Sequence, residues 1–229
     1  MTGIEQVYLI GPADPPHISG RRRNRRGRQA GVRCVVKQSA MAAHDMSACA
    51  FKRWNGMIER ELMRSGPAYT ILRPTGFMQN FVNYDAARIA AEAVIRAPWG
   101  DARVSWIDVR DIAGVAATVL SEDGRDGRVC DLSGPEALSH HEIAAKLSAA
   151  TGREIRHEPL ADAEWFRQMR SRGLPLSAAR SMLSLYQAYR EADPGPVTGR
   201  VEILTGRSPR GFDTFAQEHA ARFGSLAAP

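Results

Sequence analysis

Apolar positions along the chain follow two spacings, one typical of buried strands and one typical of helices. Short apolar runs predict strands over residues 4–10, 32–36, 69–72, 104–107, 128–132 and 154–157. Apolar residues three or four apart predict helices over residues 48–65, 77–93, 112–120, 140–151, 163–172, 176–191 and 212–223. Strands that alternate with helices and then give way to helices alone predict an α/β fold, in which a parallel-sheet body carries a small helical part.

The stretch from Tyr69 to Asn80, YTILRPTGFMQN, carries the clearest local signal. A short apolar strand is interrupted at Pro74 and turns away through Gly76. In open α/β sheets, ligands bind outside the carboxyl ends of the strands. The stretch is therefore either one wall of a small-molecule site or a buried strand followed by an ordinary turn.

Helix ends supply further expectations. Ser139 followed by Glu142 has the spacing of a capping box for the helix over residues 140–151. Asp111 is placed to cap the helix over residues 112–120, so we interpret Asp108 and Asp111 as capping residues rather than an acid/base pair. Glu59 is expected on the outer face of the helix over residues 48–65.

The bulk composition favours a globular protein of the cytoplasm. The longest wholly apolar or small run, residues 112–120, has nine residues, whereas a membrane span needs roughly 20. The N-terminus lacks the pattern of a signal peptide. Three widely spaced cysteines, Cys34, Cys49 and Cys130, indicate reduced thiols rather than disulfides. We expect no metal site, because the adjacent His140 and His141 have no partner at ligand spacing.

One basic run accounts for the positive charge of the chain. Residues 21–28, RRRNRRGR, hold six arginines, and without them the formal net charge falls from +6 to zero. Contact with nucleic acid is one interpretation, but without aromatic residues or a recognisable binding module we favour a solvated segment. A helix here would be frayed, since it has no apolar face. We hypothesise a shifted reading frame over residues 17–29, which resequencing the locus would test.

Five segments together carry a family resemblance. They are VVKQSA at residues 35–40, RWNGMIERELMRSGPAYTILRPTGFMQNF at 53–81, SWIDVRDIAGVAATVL at 105–120, VCDLSGPEALSHHEIAAKLSAATGREI at 129–155 and TGRSPRGFDTFAQEHAARF at 205–223. The chain resembles the NmrA-like family, atypical members of the short-chain dehydrogenase/reductase superfamily. The resemblance implies a Rossmann-type doubly wound parallel sheet over residues 1–160 and a mostly helical substrate lobe over residues 161–229, within one continuous domain.

The resemblance also implies a site for NADP or NAD and for a small-molecule substrate. Ser39 and Asn55 take the catalytic positions, and Asn80 faces the substrate. Lys37 falls on the cofactor side, although we expect its side chain to extend toward solvent. The residues assigned to the cofactor are Gly11, Pro12, Lys37, Pro74, Thr75, Gly76 and Phe77.

Two departures from the family pattern bear on these assignments. The chain contains neither GxGxxG nor GxxGxxG, the glycine-rich turn that lets backbone approach a cofactor pyrophosphate. We therefore expect an N-terminally shortened sheet. Asn55 stands where the family pattern predicts histidine, and asparagine does not titrate near pH 7.

Three functions stay open. The first is an NAD(P)-dependent oxidoreductase that passes hydride to a small quinone-like or aromatic acceptor. The second is a regulatory protein that senses the dinucleotide without turnover, and the third is a remnant that has lost cofactor binding. Fold analogy alone cannot choose among them, and the sequence does not indicate an oligomeric state.

Overall fold

A computed structural model describes residues 4–11, 32–122, 124 and 126–224. The described residues divide into two compact units. The first is drawn from Met1–Thr75, Arg110–Leu132 and Thr198–Arg207, and the second from Gly76–Val109, Ser133–Val197 and Ser208–Pro229. The division into a body and a lobe at residue 160 stays a prediction.

The first unit contains a four-stranded parallel sheet. Its strands are β1 Gln6–Ile10, β2 Cys34–Gln38, β3 Ala68–Pro74 and β5 Arg128–Leu132, in the spatial order β1-β2-β3-β5. Gln38 is the register partner of both Ile10 and Leu72, so β1, β2 and β3 end close to one level. The residues that directly follow β1, β2 and β3 therefore lie along one edge of the sheet.

Nine helices, numbered along the chain, occur in the described residues. They are α1 Ala50–Met63, α2 Ala86–Glu92, α3 Val109–Ser121, α4 His140–Thr151, α5 Asp162–Ser171, α6 Leu176–Glu191, α7 Arg200–Thr205, α8 Phe212–Glu218 and α9 Ala220–Phe223. In the first unit, α1 packs against the sheet in a cluster that contains Val35, Leu62 and Ile71. Gly56 is required in α1, since a Cβ there would lie 2.3 Å from the backbone carbon of His44.

The second unit pairs β4, Val94–Ala97, in parallel with β6, Arg156–Pro159. Its core is rich in aromatic residues, including Phe81, Trp106 and Phe212, and buries Ile143 and Leu147 of α4. A π-helical turn, Phe81–Asp85, precedes α2. Such turns are rare and occur frequently at functional sites.

Several predicted elements differ from the structure. The predicted strand over residues 104–107 is wrong, because the Trp106 N–H donates to the Val104 carbonyl at 2.9 Å, a local turn that leaves only isolated bridges. The predicted helix over residues 77–93 begins later, since Phe77 bridges to Ile107 in extended form. Pro74 ends β3 rather than interrupting it, and a missing N–H is tolerated at a strand end. Strand β4 and helix α7 were not predicted.

The predicted N-terminal cap of α4 is confirmed, whereas the predicted cap of α3 is wrong. Ser139 and Glu142 form the predicted capping box of α4, and Gly152 closes that helix in the left-handed conformation. Asp111 is not a helix cap, because α3 starts two residues earlier and Asp111 lies buried inside its first turn. Asp108 is also fully buried. The Arg-rich run and the segment 17–29 fall outside the described residues.

Candidate functional site

A buried polar cluster lies beside the carboxyl ends of β2 and β3 in the first unit. The Ser39 hydroxyl, directly after β2, donates to Glu59 Oε1. Arg73, from β3, donates to the same carboxylate from Nε at 3.0 Å and from Nη2 at 2.5 Å. The Glu59 side chain is only 3% exposed, and its hydrogen bonds raise the pKa of Arg73 above the ordinary value. The cluster therefore holds a buried ion pair whose carboxylate accepts three hydrogen bonds.

The position of Glu59 corrects the sequence-based expectation. It was assigned to the outer face of α1, yet it lies between the buried Ile58 and Leu62. Apolar periodicity detects a buried face only through apolar residues, so it misses an acid that is buried because it is paired. The signal that pointed to it was Arg73, a charged residue inside an otherwise apolar strand.

Lys37 and Asn55 form a second polar contact in this unit. Lys37 is 2% exposed, so the expectation that it extends to solvent is wrong. Its ammonium donates to the Gln38 carbonyl and, at 3.4 Å, to Asn55 Oδ1. The Asn55 Nδ2 group donates to the Phe51 carbonyl at 3.1 Å. Both ends of the Asn55 amide thus contact protein atoms, while its assigned catalytic role stays a prediction.

The other residues assigned to the cofactor follow the same aligned strand ends. Gly11 is exposed directly after β1, and a Cβ added there would meet no atom of the described residues within 4 Å. Pro12 lies outside the described residues. Pro74 ends β3, and the buried Thr75 donates its backbone N–H to the Leu132 carbonyl at 3.0 Å. The structure therefore gathers Gly11, Ser39 and Thr75 at one edge of one sheet.

The second unit contains a cavity of about 420 Å³, lined by eight aromatic residues, by aliphatic residues and by polar residues that include Arg88, Arg96 and Arg172. Its aromatic lining residues are Phe81, Tyr84, Trp99, Trp106, His140, Trp165, Tyr186 and Tyr189. Trp99 lies at the centre of this lining, with ring centroids 4.8 Å from Tyr186, 5.1 Å from Tyr189 and 5.3 Å from Trp106. These dimensions and walls fit a flat apolar molecule, because small-molecule pockets are mostly apolar and a few hundred Å³ in volume.

Three titratable residues of this cavity have pKa values shifted toward their neutral forms. Burial raises the pKa of Asp85 from 3.8 to about 6, although the nearby Arg88 opposes the shift. Burial, together with His157 and His141, lowers the pKa of His140 from 6.5 to about 3. Burial and the negative charge of Asp85 also raise the pKa of Tyr186. At neutral pH the imidazole and the phenol are therefore uncharged.

Two buried polar atoms of the cavity-lining residues lack a hydrogen bond. Trp106 Nε1 and His140 Nδ1 have no partner among the described residues. Unsatisfied buried groups cost about 1–3 kcal/mol and call for a reason. Here both belong to side chains that surround an unfilled space.

The remaining assigned residues belong to the second unit. Gly76 and Asn80 line the cavity, which supports a ligand-facing location for both. A Cβ at Gly76 would lie 2.6 Å from Cζ3 of Trp106, so packing alone requires this glycine. Phe77 pairs through its backbone with Ile107. Their roles toward a cofactor or substrate stay predictions.

Sequence reasoning did not find the cavity. Its walls come from several helices and loops, so no local spacing connects Trp99, Trp165 and Tyr186. The only available signal was the number of aromatic residues after residue 76, which sequence alone assigns to helix cores.

Neither a metal site nor a membrane span emerges from the described residues. No group of three or more His, Cys, Asp or Glu is placed there to hold an ion. Among the described helices, none combines the length and apolar character needed to cross a bilayer.

The parallel sheet, its aligned strand ends and the flanking helices define a Rossmann-type α/β protein, as the sequence predicted. The family model described as the NmrA-like family matches residues 28–209. The chain is 35% identical over 224 residues to the NAD(P)H azoreductase of Xenophilus azovorans, which covers 97% of this chain and 78% of that protein. The chain belongs to the NmrA-like family.

Two further comparisons, one of sequence and one of structure, give lower identity. Quinone oxidoreductase 2 of Escherichia coli is 28% identical over 177 residues, covering 76% of this chain and 61% of that protein. A crystal structure of the NADPH-dependent quinone oxidoreductase QOR2 of Escherichia coli, complexed with NADPH, superposes with a TM-score of 0.84 at 23% identity. It covers 95% of this chain and 77% of that chain. These likenesses support the same fold.

Proposed function

We propose that this protein is an NAD(P)H-dependent reductase that acts on a flat, quinone-like or other aromatic acceptor. The observation that carries the proposal is the aromatic cavity of the second unit, whose volume of about 420 Å³ fits such an acceptor. The named activities of the azoreductase and quinone oxidoreductase relatives have substrates of this shape.

The strand ends of the first unit fit the nicotinamide and ribose half of the cofactor. No described residue lies against Gly11, and Ser39 offers a hydroxyl at the middle strand. When bound, the reduced cofactor supplies the hydride. The chain has no glycine-rich phosphate motif, so we assign none of its residues to the pyrophosphate.

The protein residues would contribute binding, orientation and exclusion of water. Trp99 and its aromatic neighbours offer faces for stacking against an acceptor ring. The neutral forms of His140 and Tyr186 add no charge to the aromatic part of the wall at neutral pH, whereas Arg88, Arg96 and Arg172 place positive charge on another part of the lining. Asp85 and Asn80 add polar contacts on the lining of the cavity.

We also propose a reducing cellular compartment, the cytoplasm, for this protein. Cys34, Cys49 and Cys130 form no disulfide with one another, and Cys49 and Cys130 are buried. Reduced thiols are typical of intracellular proteins. Trapping the thiols during fractionation of the native host would test this location.

The experiment is a titration of the purified protein with NADH and NADPH, followed by nucleotide fluorescence, and then turnover with quinones and azo compounds. We expect saturable binding and acceptor-dependent oxidation of the nucleotide. Absence of binding at millimolar nucleotide would overturn the proposal. Binding without turnover of any acceptor would instead favour a dinucleotide sensor.

A pair of variants in α6 tests the cavity itself. Met182 lines the cavity and is partly exposed, so Met182→Trp should fill space at little cost to folding. We expect KM for the acceptor to rise at least about tenfold while nucleotide affinity is unchanged. Leu176→Trp is the matched control, because Leu176 is similarly exposed in the same helix but does not line the cavity.

A further inference from the structure

The buried carboxylate of Glu59 fixes the direction of the Ser39 hydrogen bond. Arg73 donates two hydrogen bonds to Glu59, the strong bidentate arrangement that holds a carboxylate in its charged form. An ionised carboxylate only accepts hydrogen bonds, and a serine hydroxyl has one proton to give. The hydroxyl proton of Ser39 is therefore donated to Glu59.

The backbone N–H of Ser39 also donates a hydrogen bond within the protein. It donates to the Leu72 carbonyl at 2.7 Å, which extends the pairing between β2 and β3. Ser39 thus has no proton left for a ligand, and its hydroxyl offers only lone pairs. Its strand lies between β1 and β3 at the aligned edge of the sheet, the expected ligand side of an open α/β sheet.

We infer that Glu59 and Arg73 are positioning residues that make Ser39 a dedicated hydrogen-bond acceptor for the nicotinamide half of the cofactor. This inference rests on the proposed function. The ligand group must be a donor, either a hydroxyl of the nicotinamide ribose or the N–H of the carboxamide. A phosphate or a carbonyl has no proton to give, so neither is a suitable partner for Ser39.

The first measurement is the dissociation constant for NADPH and NADH of the wild type and of Ser39→Ala. Loss of one neutral hydrogen bond should raise the constant about three- to tenfold. The ion pair between Glu59 and Arg73 remains in this variant, so it should stay folded. A second titration with the reduced 3-acetylpyridine analogue, which lacks the carboxamide N–H, separates the two donors.

If the carboxamide is the donor, Ser39→Ala should weaken NADPH but not the acetylpyridine analogue. If the ribose hydroxyl is the donor, both should weaken equally. Unchanged affinity for both nucleotides, in a wild type that binds them, would overturn the inference and leave the proposed function intact. A wild type that binds no nucleotide would overturn both.

A double-mutant cycle tests whether Glu59 acts through Ser39. Glu59→Met removes the acceptor of the Ser39 proton, so it frees the hydroxyl and should raise the dissociation constant several-fold when Ser39 is present, with no further effect in Ser39→Ala. Equal loss in both backgrounds would show a merely structural role and overturn the assignment. Arg60→Met is the matched control, since it removes another ion pair of the same helix, between an arginine that is 56% exposed and Asp45, and should leave affinity unchanged.

Discussion

The polar cluster of the first unit and the aromatic cavity of the second unit treat buried polar groups in opposite ways. In the cluster, Ser39, Glu59 and Arg73 satisfy one another with short hydrogen bonds. In the cavity, Trp106 Nε1 and His140 Nδ1 are buried without partners among the described residues. A closed network fixes the direction of one hydroxyl. The cavity offers a ligand both unfilled volume and two polar atoms that have no hydrogen-bond partner among the described residues.

The comparison predicts that breaking the closed network is the most damaging change. Arg73→Met leaves Glu59 charged, 3% exposed and unpaired, which should lower the free energy of unfolding by about 3–5 kcal/mol. Urea denaturation at pH 7.5 measures this loss. Arg33→Met, which removes the ion pair to Glu5 between side chains that are 76% and 68% exposed, should cost less than about 1 kcal/mol. Equal effects of the two variants would contradict the comparison.

The second prediction concerns His140 in the open region. Its pKa of about 3 in the folded protein lies below the 6.5 of an unfolded histidine, so the unfolded chain takes up the proton first. Stability from this group is present above about pH 6.5 and falls as the pH drops. Between pH 7 and 5 the wild type should lose about 2 kcal/mol through His140.

Replacing the imidazole should remove that acid sensitivity. His140→Phe keeps a ring of similar size beside Trp99, so its unfolding free energy should vary less between pH 7 and 5 than that of the wild type. Urea denaturation at several pH values gives the comparison. The same substitution at the exposed His44 should leave the wild-type pH dependence in place. An identical slope for both variants would refute the assignment.

The smallest predicted effect belongs to Asp85. Its folded pKa of about 6 lies above the ordinary 3.8, so the cost of burying the charge is full above pH 6 and fades toward pH 4. The shift corresponds to about 3 kcal/mol of unfavourable burial, but the amide of Asp85→Asn is also buried and keeps part of that cost. The substitution should therefore stabilise the protein by about 1–2 kcal/mol at pH 8 and progressively less as the pH falls. Asp101→Asn, at a 93% exposed side chain, is the control and should show no such trend. A stabilisation independent of pH would count against burial as the cause.

Local chemistry explains what the sequence could predict. The bounds of α6 and the capping box at Ser139 match the structure because each is encoded within one helix. Strands β2 and β3 extend two residues past their predicted ends, to Gln38 and Pro74, but β1 ends at Ile10 as predicted, because Gly11 directly follows the apolar run. In these cases neighbouring residues contain the whole signal.

Long-range pairing explains what the sequence missed. Glu59 is buried only because Arg73 reaches it from β3, 14 residues later. One miss has a local cause instead: the predicted strand over residues 104–107 is wrong because a turn at Trp106 interrupts the extended backbone. The cavity walls join residues from Gly76 to Tyr189, and no periodicity reports a contact over that separation.

The π-helical turn at Phe81–Asp85 has a consequence for how the cavity can change. A π-turn contains one residue more than the α-helical turn it replaces. Deleting one residue there would restore regular helical geometry and rotate the side chains on one side of the deletion by about 100° relative to those on the other. Tyr84 and Asp85 line the cavity, whereas Ile89 lies in the core. A single-codon deletion could therefore reshape the cavity wall, provided that the core around Ile89 holds α2 in its present orientation.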